Sequence, residues 1–274
     1  MKKGIALTAL CMVGVLVFST SAQAYDYFFS YDAAAVKAAG GLSGSVGFAY
    51  VNSSKGWDAG GDSYTYADDL TFMHIPLRVN YGLTDKVTIF GLVTAFDKWD
   101  RGDFGESGFG DTWLGAKCAV LPALTLRGAL DIPTGDGKKD LGYMGGFGID
   151  VAAMSSRQIG ELGLNGQVGS RWNAEDGNTK FQPGVGGYID VEGVYSFTEA
   201  LEGKAGFEYS VVGDGKSSGT DAKDSGYAYL DLRGGGAYRL NEKLSLGTNL
   251  YYTVTGTSAY QGLTLLVNLG YTAK

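Results

Sequence analysis

The chain has 274 residues, with 22 lysines and arginines against 29 aspartates and glutamates and a formal net charge of −7. This acidic balance argues against a nucleic-acid partner, because phosphate backbones are bound by basic patches. A single histidine excludes a histidine-based metal cluster,. We therefore expect no nucleic-acid partner, no metal and no cofactor.

The first 24 residues have the features of a secretory signal peptide. Two lysines precede an apolar run from Ile5 to Phe18, and Ala22-Gln23-Ala24 is a typical cleavage pattern,. The apolar run is shorter than the roughly 20 residues that a membrane helix needs. We therefore expect residues 1–24 to be removed on export. Cys118 is then the only cysteine left, so no internal disulfide is expected,.

Residues 25–41 form an N-terminal segment of different character. Ser30 is placed to cap a short helix over Asp32–Ala39, and Gly40-Gly41 to end it,. Two roles remain open for this segment: a plug that enters the lumen of a barrel from its periplasmic end, or a frayed terminus.

From residue 42 onward, apolar and polar residues alternate with period two, which predicts strands with one apolar and one polar face. In 70–81, for example, Met73 and Ile75 face one side and His74 and Arg78 the other. Each predicted strand is close to the 9–11 residues that a tilted strand needs to cross a bilayer. The third is apolar on both faces, which leaves its register open. The predicted strands are 42–52, 70–81, 87–97, 109–120, 124–133, 146–154, 161–172, 185–197, 201–212, 227–239, 243–255 and 262–272.

Charged residues occupy only one face of these strands. A barrel with a lipid-facing exterior requires this, because a lysine or arginine facing the bilayer centre costs about 2–4 kcal/mol. Acidic and basic residues are mixed on the polar face, so we expect many of them to pair across a narrow lumen. The predicted lumen-lining, solute-contacting residues are His74, Arg78, Asp111, Lys117, Arg127, Asp131, Asp150, Arg171, Asp190, Glu192, Lys204, Glu208, Asp231 and Arg233.

The connections between the predicted strands alternate in length. Those after odd-numbered strands are long and polar, such as 53–69 and 97–108, and those after even-numbered strands are tight. Short periplasmic turns and long outer loops are typical of outer-membrane barrels, whereas a soluble sandwich has no reason to alternate in this way. Aromatic residues near strand ends are expected to form two girdles at the headgroup level. They are Tyr50, Tyr81, Trp172, Tyr195, Phe197, Tyr227, Tyr252 and Tyr271.

These patterns together predict an all-β fold. We expect a transmembrane antiparallel up-and-down β-barrel of about 12 strands over residues 42–274, preceded by a short N-terminal helical segment. Its location would be the cell outer membrane, with outer-membrane lipid as a partner. Nothing in the sequence indicates an oligomer.

A glycine-rich motif lies at the centre of the chain, from Gly105 to Lys117 and from Leu130 to Asp136. It resembles the outer-membrane family called "MetA-pathway of phenol degradation". The resemblance implies a protein that brings hydrophobic or aromatic small molecules across the outer membrane. Read from the residues alone, the motif is either strand-to-loop geometry or a ledge in a pore. The residues that carry the resemblance are Gly108, Gly110, Asp111, Gly115, Lys117, Pro133, Thr134, Gly135 and Asp136.

Three functions remain open. The first is a channel or facilitator for passive uptake of a small, hydrophobic or aromatic solute. The second is a closed structural or adhesion-type barrel that acts through its extracellular loops. A membrane enzyme is third, because a Ser/His pair on the outer wall would be needed and His74 faces the other way. We therefore expect no catalytic residues, and the mixed lumen charges do not match the one-sign rings of a selective ion channel.

Overall fold

The structure is a computed structural model that describes residues 8–9, 34–135, 146–177, 180–223 and 225–273. No helix long and apolar enough to cross a membrane occurs among these residues. The strands are β1 (Thr8–Ala9), β2 (Leu42–Trp57), β3 (Ser63–Thr84), β4 (Val87–Arg101), β5 (Phe104–Gly108), β6 (Thr112–Leu121), β7 (Leu124–Ile132), β8 (Gly148–Ile159), β9 (Leu162–Asn173), β10 (Phe181–Gln182), β11 (Gly186–Ser196), β12 (Leu201–Val212), β13 (Gly215–Ser217), β14 (Thr220–Ala222), β15 (Tyr227–Arg239), β16 (Leu244–Thr257) and β17 (Ala259–Ala273).

Twelve of these strands form one closed antiparallel barrel. Their order is β9-β8-β7-β6-β4-β3-β2-β17-β16-β15-β12-β11. Strands β9 and β11 lie side by side, where Ser170 Oγ donates to Gly186 O at 2.7 Å and Asn165 Nδ2 to Glu192 Oε1 at 3.0 Å. Strand β1 pairs in parallel with β9, and β10, β13 and β14 form a small separate sheet. The predicted barrel of 12 antiparallel strands is confirmed.

The two ends of the barrel differ in their connections. We call the end with short connections, such as 85–86 and 160–161, the turn rim, and the opposite end the loop rim. The predicted long connections 53–69 and 97–108 are wrong, since β2 and β3 continue to a tight hairpin at 58–62 and β4 pairs with β5. The residues of these strand extensions are largely polar, so they lack the apolar face by which the other strands were predicted. The ring of Tyr66 packs against Tyr64 at 5.2 Å and against Tyr260 at 5.9 Å, which supports the extended hairpin.

The outer surface of the barrel is apolar and the inward surface is polar. Val79 and Val151 are 53% exposed, whereas Asp150, the strand neighbour of Val151, is fully buried. Tyr227 is a correction to the predicted aromatic girdle, because it faces inward, is 4% exposed and stacks on Tyr229. A tyrosine suits both places, so its type did not distinguish them. The exposed members of the predicted girdles are Tyr81, Trp172, Tyr195, Phe197, Tyr252 and Tyr271.

The register of β4, which the sequence left open, depends on a β-bulge. Phe90, Leu92 and Thr94 are buried on the inner side. Ile75 of β3 pairs with Phe96 while the next residue pairs with Thr94, so residue 95 is the extra one. A bulge shifts the alternation by one residue, and Asp97 therefore also faces inward.

The N-terminal segment lies inside the barrel near the turn rim and forms neither helix nor strand over residues 34–41. No helix occurs over residues 34–39, so the predicted helix is wrong there, and residues 25–33 lie outside the described part of the chain. Wall groups bind this backbone instead: Thr125 Oγ1 donates to Ala34 O, and Lys37 N donates to Thr88 Oγ1, both at 2.7 Å. The predicted signal peptide lies outside the described residues except at residues 8–9.

Candidate functional site: the barrel lumen

Buried polar side chains pair along the lumen wall, from β3 to the strands that follow it. His74 Nδ1 lies 2.8 Å from Asp97 Oδ1, and neither side chain is exposed to solvent. Further round the wall, Arg127 Nη2 donates to Asp150 Oδ1 at 2.7 Å. The hydroxyl of Tyr188 donates to Asp150 Oδ2 at 2.6 Å. Asp150 therefore accepts hydrogen bonds from strands on both sides of β8, which ties β7, β8 and β11 together.

Arg171 combines an ion pair with an aromatic contact. Its Nη2 donates to Asp131 Oδ2 at 2.8 Å, and its guanidinium carbon lies 4.0 Å from the ring centroid of Trp113. All three side chains are almost completely buried. A desolvated cation over an aromatic face gains more than an exposed one, so Trp113 helps to compensate the desolvation of Arg171.

Strands β11, β12 and β15 carry a row of three carboxylates. Asp190 lies opposite Glu208, and Glu208 lies opposite Asp231, all on the inner face and all fully buried. Like charges directly opposite each other are destabilising. Arg233 offsets this repulsion with two hydrogen bonds to Asp190, of 2.7 and 2.6 Å. It also lies 3.5 Å from Glu192 Oε2.

Every predicted lumen residue lies on the inner face, but only some of them meet. The arginines at 127, 171 and 233 pair with carboxylates as expected, but with partners one or two strands away along the wall rather than across the lumen. The hydroxyl of Tyr229 donates to Glu208 Oε1 at 3.0 Å. Lys117 is close to the turn rim, where its Nζ donates to Ala35 O at 3.2 Å, far from the loop-rim position of Asp111. Arg78 and Lys204 are only partly buried and line a cavity.

The glycine-rich motif joins three strands at the loop rim. Asp111 Oδ1 accepts a hydrogen bond from Gly135 N at 2.8 Å, and Thr134 Oγ1 donates to Gly110 O at 3.2 Å. Gly108 pairs with Asp97, and Pro133 directly follows the end of β7. Asp136 lies outside the described residues. These bonds favour the strand-to-loop interpretation of the motif.

Gly115 of the motif makes room for an inward aromatic ring. A Cβ at this position would lie 2.3 Å from the Cζ atom of Phe90 and 2.7 Å from a backbone oxygen. Only glycine permits so close an approach. The motif thus sets the packing of β4 against β6.

A cavity of about 510 Å³ occupies the turn-rim part of the lumen. Small residues on β2, β15, β16 and β17 form much of its wall, among them Ser45, Ala237 and Gly247. The N-terminal segment contributes Ala35 and Lys37. No group of three or more histidine, cysteine, aspartate or glutamate side chains in the described part of the chain is arranged to hold a metal ion.

Comparison with known proteins identifies the family. The family described as "MetA-pathway of phenol degradation" matches residues 26–269. The chain belongs to this family. No curated protein sequence matches it.

Two solved structures are similar to this member of the MetA-pathway family over most of its length. The COG4313 outer membrane channel from Pseudomonas putida F1 is 20% identical, with a TM-score of 0.75, over 87% of this chain and 97% of that chain. The translocator domain of the autotransporter NalP from Neisseria meningitidis is 10% identical, with a TM-score of 0.55, over 86% of this chain and 89% of that chain. At these identities the likeness shows the fold.

Sequence reasoning missed several lumen residues of this family member. Asp97 sits beyond the bulge, in a strand without clear alternation. Trp113, Tyr188 and Tyr229 alternate in phase with predicted lumen charges on their own strands, so their phase could have identified them. Arg239, the last residue of β15, is also in phase with Asp231 and Arg233, but only the structure shows that it lines the cavity.

Proposed function

We propose that this chain is an outer-membrane channel through which small, hydrophobic or aromatic solutes diffuse passively. The observation that carries the proposal is the closed barrel whose exterior is apolar and whose polar lumen contains a cavity at the turn rim. A membrane-spanning barrel needs this arrangement, because lipid cannot satisfy polar groups. The family membership supports the solute class, and no catalytic role is assigned to any residue.

The lumen residues that border the cavity are the proposed contacts for the solute. Arg78, Lys117 and Lys204 line it from different strands. The buried ion pairs outside the cavity then narrow the path rather than bind the solute. The N-terminal segment acts as a plug in this proposal, because its backbone is fastened to the wall beside the cavity.

Single-channel current tests the proposal. The chain is expressed in full, purified from outer membranes and inserted into a planar bilayer. Filling the cavity with Ser45→Trp should lower the conductance and slow the uptake of toluene and phenol into liposomes. Val79→Trp, which adds the same side chain to the outer face, is the matched control and should leave both unchanged. Equal conductance in the two variants would refute the proposal.

The alternative of a closed barrel that acts through its loops is favoured by one observation. The ion pairs of Arg127, Arg171 and Arg233 are all almost completely buried on the lumen side of the wall. A correctly inserted chain that carries no current and takes up no solute would support this alternative. The loops would then be the place to look for binding to surfaces or partner proteins.

A further inference from the structure

The cavity at the turn rim is framed by cations. In register, Arg239 of β15 is followed across the wall by Ser245, Gly270 and Ser45, and then by Arg78 of β3. Three small residues thus separate two arginines along one row. Such a row leaves open space between two positive charges.

The charges on the cavity wall do not balance. Five cationic side chains line it, against two carboxylates, Glu199 and Glu202, which leaves a formal charge of +3. In the part of the chain that the structure describes, no hydrogen bond or ion pair engages the side chains of Lys37, Lys204 and Arg239. The cationic residues are Lys37, Arg78, Lys117, Lys204 and Arg239.

The buried arginines that do not line the cavity have the opposite character. These three arginines, at positions 127, 171 and 233, each bind a carboxylate at 2.6–2.8 Å. A cation held in this way has little attraction left for a solute. Among the described residues, Lys204 and Arg239 therefore offer positive charge that no hydrogen bond or ion pair engages, and an anion entering the cavity would find these donors without displacing an existing pair,.

The same cavity has an apolar side. Pro76, Leu92 and Leu266 contribute to its wall. The guanidinium carbon of Arg78 lies 4.9 Å from the ring centroid of Phe90, so a cation and an aromatic surface adjoin there. Small-molecule sites usually combine such apolar walls with a few placed polar groups, in volumes of about 300–1,000 Å³.

We propose that the cavity binds a small organic anion, namely a carboxylate with a compact apolar body. The apolar wall receives the body, and Lys204 and Arg239 on one side and Arg78 on the other receive the carboxylate. This inference rests on the proposed channel function and names its solute class. The site would hold the solute at the turn rim before it leaves the barrel.

The test compares three probes of nearly equal shape. Benzoate, benzamide and benzamidine carry charges of −1, 0 and +1 on the same ring. Binding to the full chain, purified from outer membranes into nanodiscs, is measured by calorimetry at low and high salt. We expect benzoate to bind at least tenfold more tightly than benzamide, and benzamidine more weakly than either. Added salt should weaken benzoate binding, strengthen benzamidine binding and leave benzamide binding unchanged.

Variants localise the site. Lys204→Met with Arg239→Gln should bring benzoate affinity down to that of benzamide, whereas Lys216→Met, an exposed lysine in a loop-rim strand, should not change it. Equal affinity of the wild-type chain for benzoate and benzamide, or tighter binding of benzamidine, would overturn the inference whether or not the variants fold. Uptake of benzamide into liposomes without any preference for benzoate would leave the channel function standing and remove the anion site. Absence of both uptake and binding would remove both proposals.

Discussion

Removing Arg233 should destabilise the barrel more than any other single change in the lumen. Its guanidinium makes two hydrogen bonds to Asp190 and approaches Glu192, beside the opposed carboxylates of Glu208 and Asp231. Breaking a buried ion pair from one side costs about 3–5 kcal/mol, because the remaining charge is left uncompensated. Arg233→Met keeps most of the side-chain volume and removes the charge. We expect the free energy of unfolding to fall by about 3–5 kcal/mol.

A double-mutant cycle isolates the ion pair from other effects. Unfolding of the purified chain in lipid vesicles is followed by tryptophan fluorescence in guanidinium chloride. Adding Asp190→Asn to Arg233→Met removes the uncompensated carboxylate, so the double variant should recover part of the loss, with a coupling of about 0.5–3 kcal/mol. Lys216→Met should change stability by less than about 0.5 kcal/mol. An Arg233→Met chain as stable as the wild type, or zero coupling, would refute the assigned role.

Three further changes probe the wall. Leu250→Arg places a charge on the apolar exterior and should lower the free energy of unfolding in vesicles by about 2–4 kcal/mol,. Leu250→Phe should be nearly neutral. Equal stabilities of the two variants would contradict a lipid-facing exterior at this position. Gly169→Ala would place a Cβ 2.3 Å from the Tyr188 hydroxyl and should lower the free energy of unfolding by about 1–3 kcal/mol,. Gly128→Ala, whose Cβ would have no atom within 4 Å, should be neutral. Similar losses of stability in both variants would contradict the packing of Tyr188 against Gly169. Cys118, exposed on the outer wall, should react with a water-soluble maleimide much more slowly in nanodiscs than in denaturant, and equal rates would place it outside the bilayer.

The sequence predicted the barrel well because period-two alternation is a local property. It identified the inward residues of β7 and β9, including Arg127 and Arg171, without knowledge of their partners. It did not resolve β4, where both faces are apolar and one bulge decides the position of Asp97. The helix predicted for the N-terminal segment is absent over 34–39, where hydrogen bonds to wall residues override alanine's helix propensity,.

The cavity could not be predicted from the sequence, for a different reason. Its two flanking arginines, Arg78 and Arg239, are far apart in the chain and come onto one row only through four successive strand pairings. No local pattern encodes such a row. The ion pairs were expected as a class, but their partners follow from register: Arg171 binds Asp131, two strands away, rather than a residue directly opposite.

The uneven distribution of charge along the barrel axis has an electrical consequence. Carboxylates outnumber cations in the loop-rim half, as in the row formed by Asp190, Glu208 and Asp231, and cations outnumber carboxylates at the turn rim. A water-filled path through the two zones is a junction between a cation-attracting and an anion-attracting segment. One polarity of voltage drives cations and anions into the junction, and the opposite polarity depletes the junction of both. The conducting barrel would therefore pass current more readily in one direction, as a diode does.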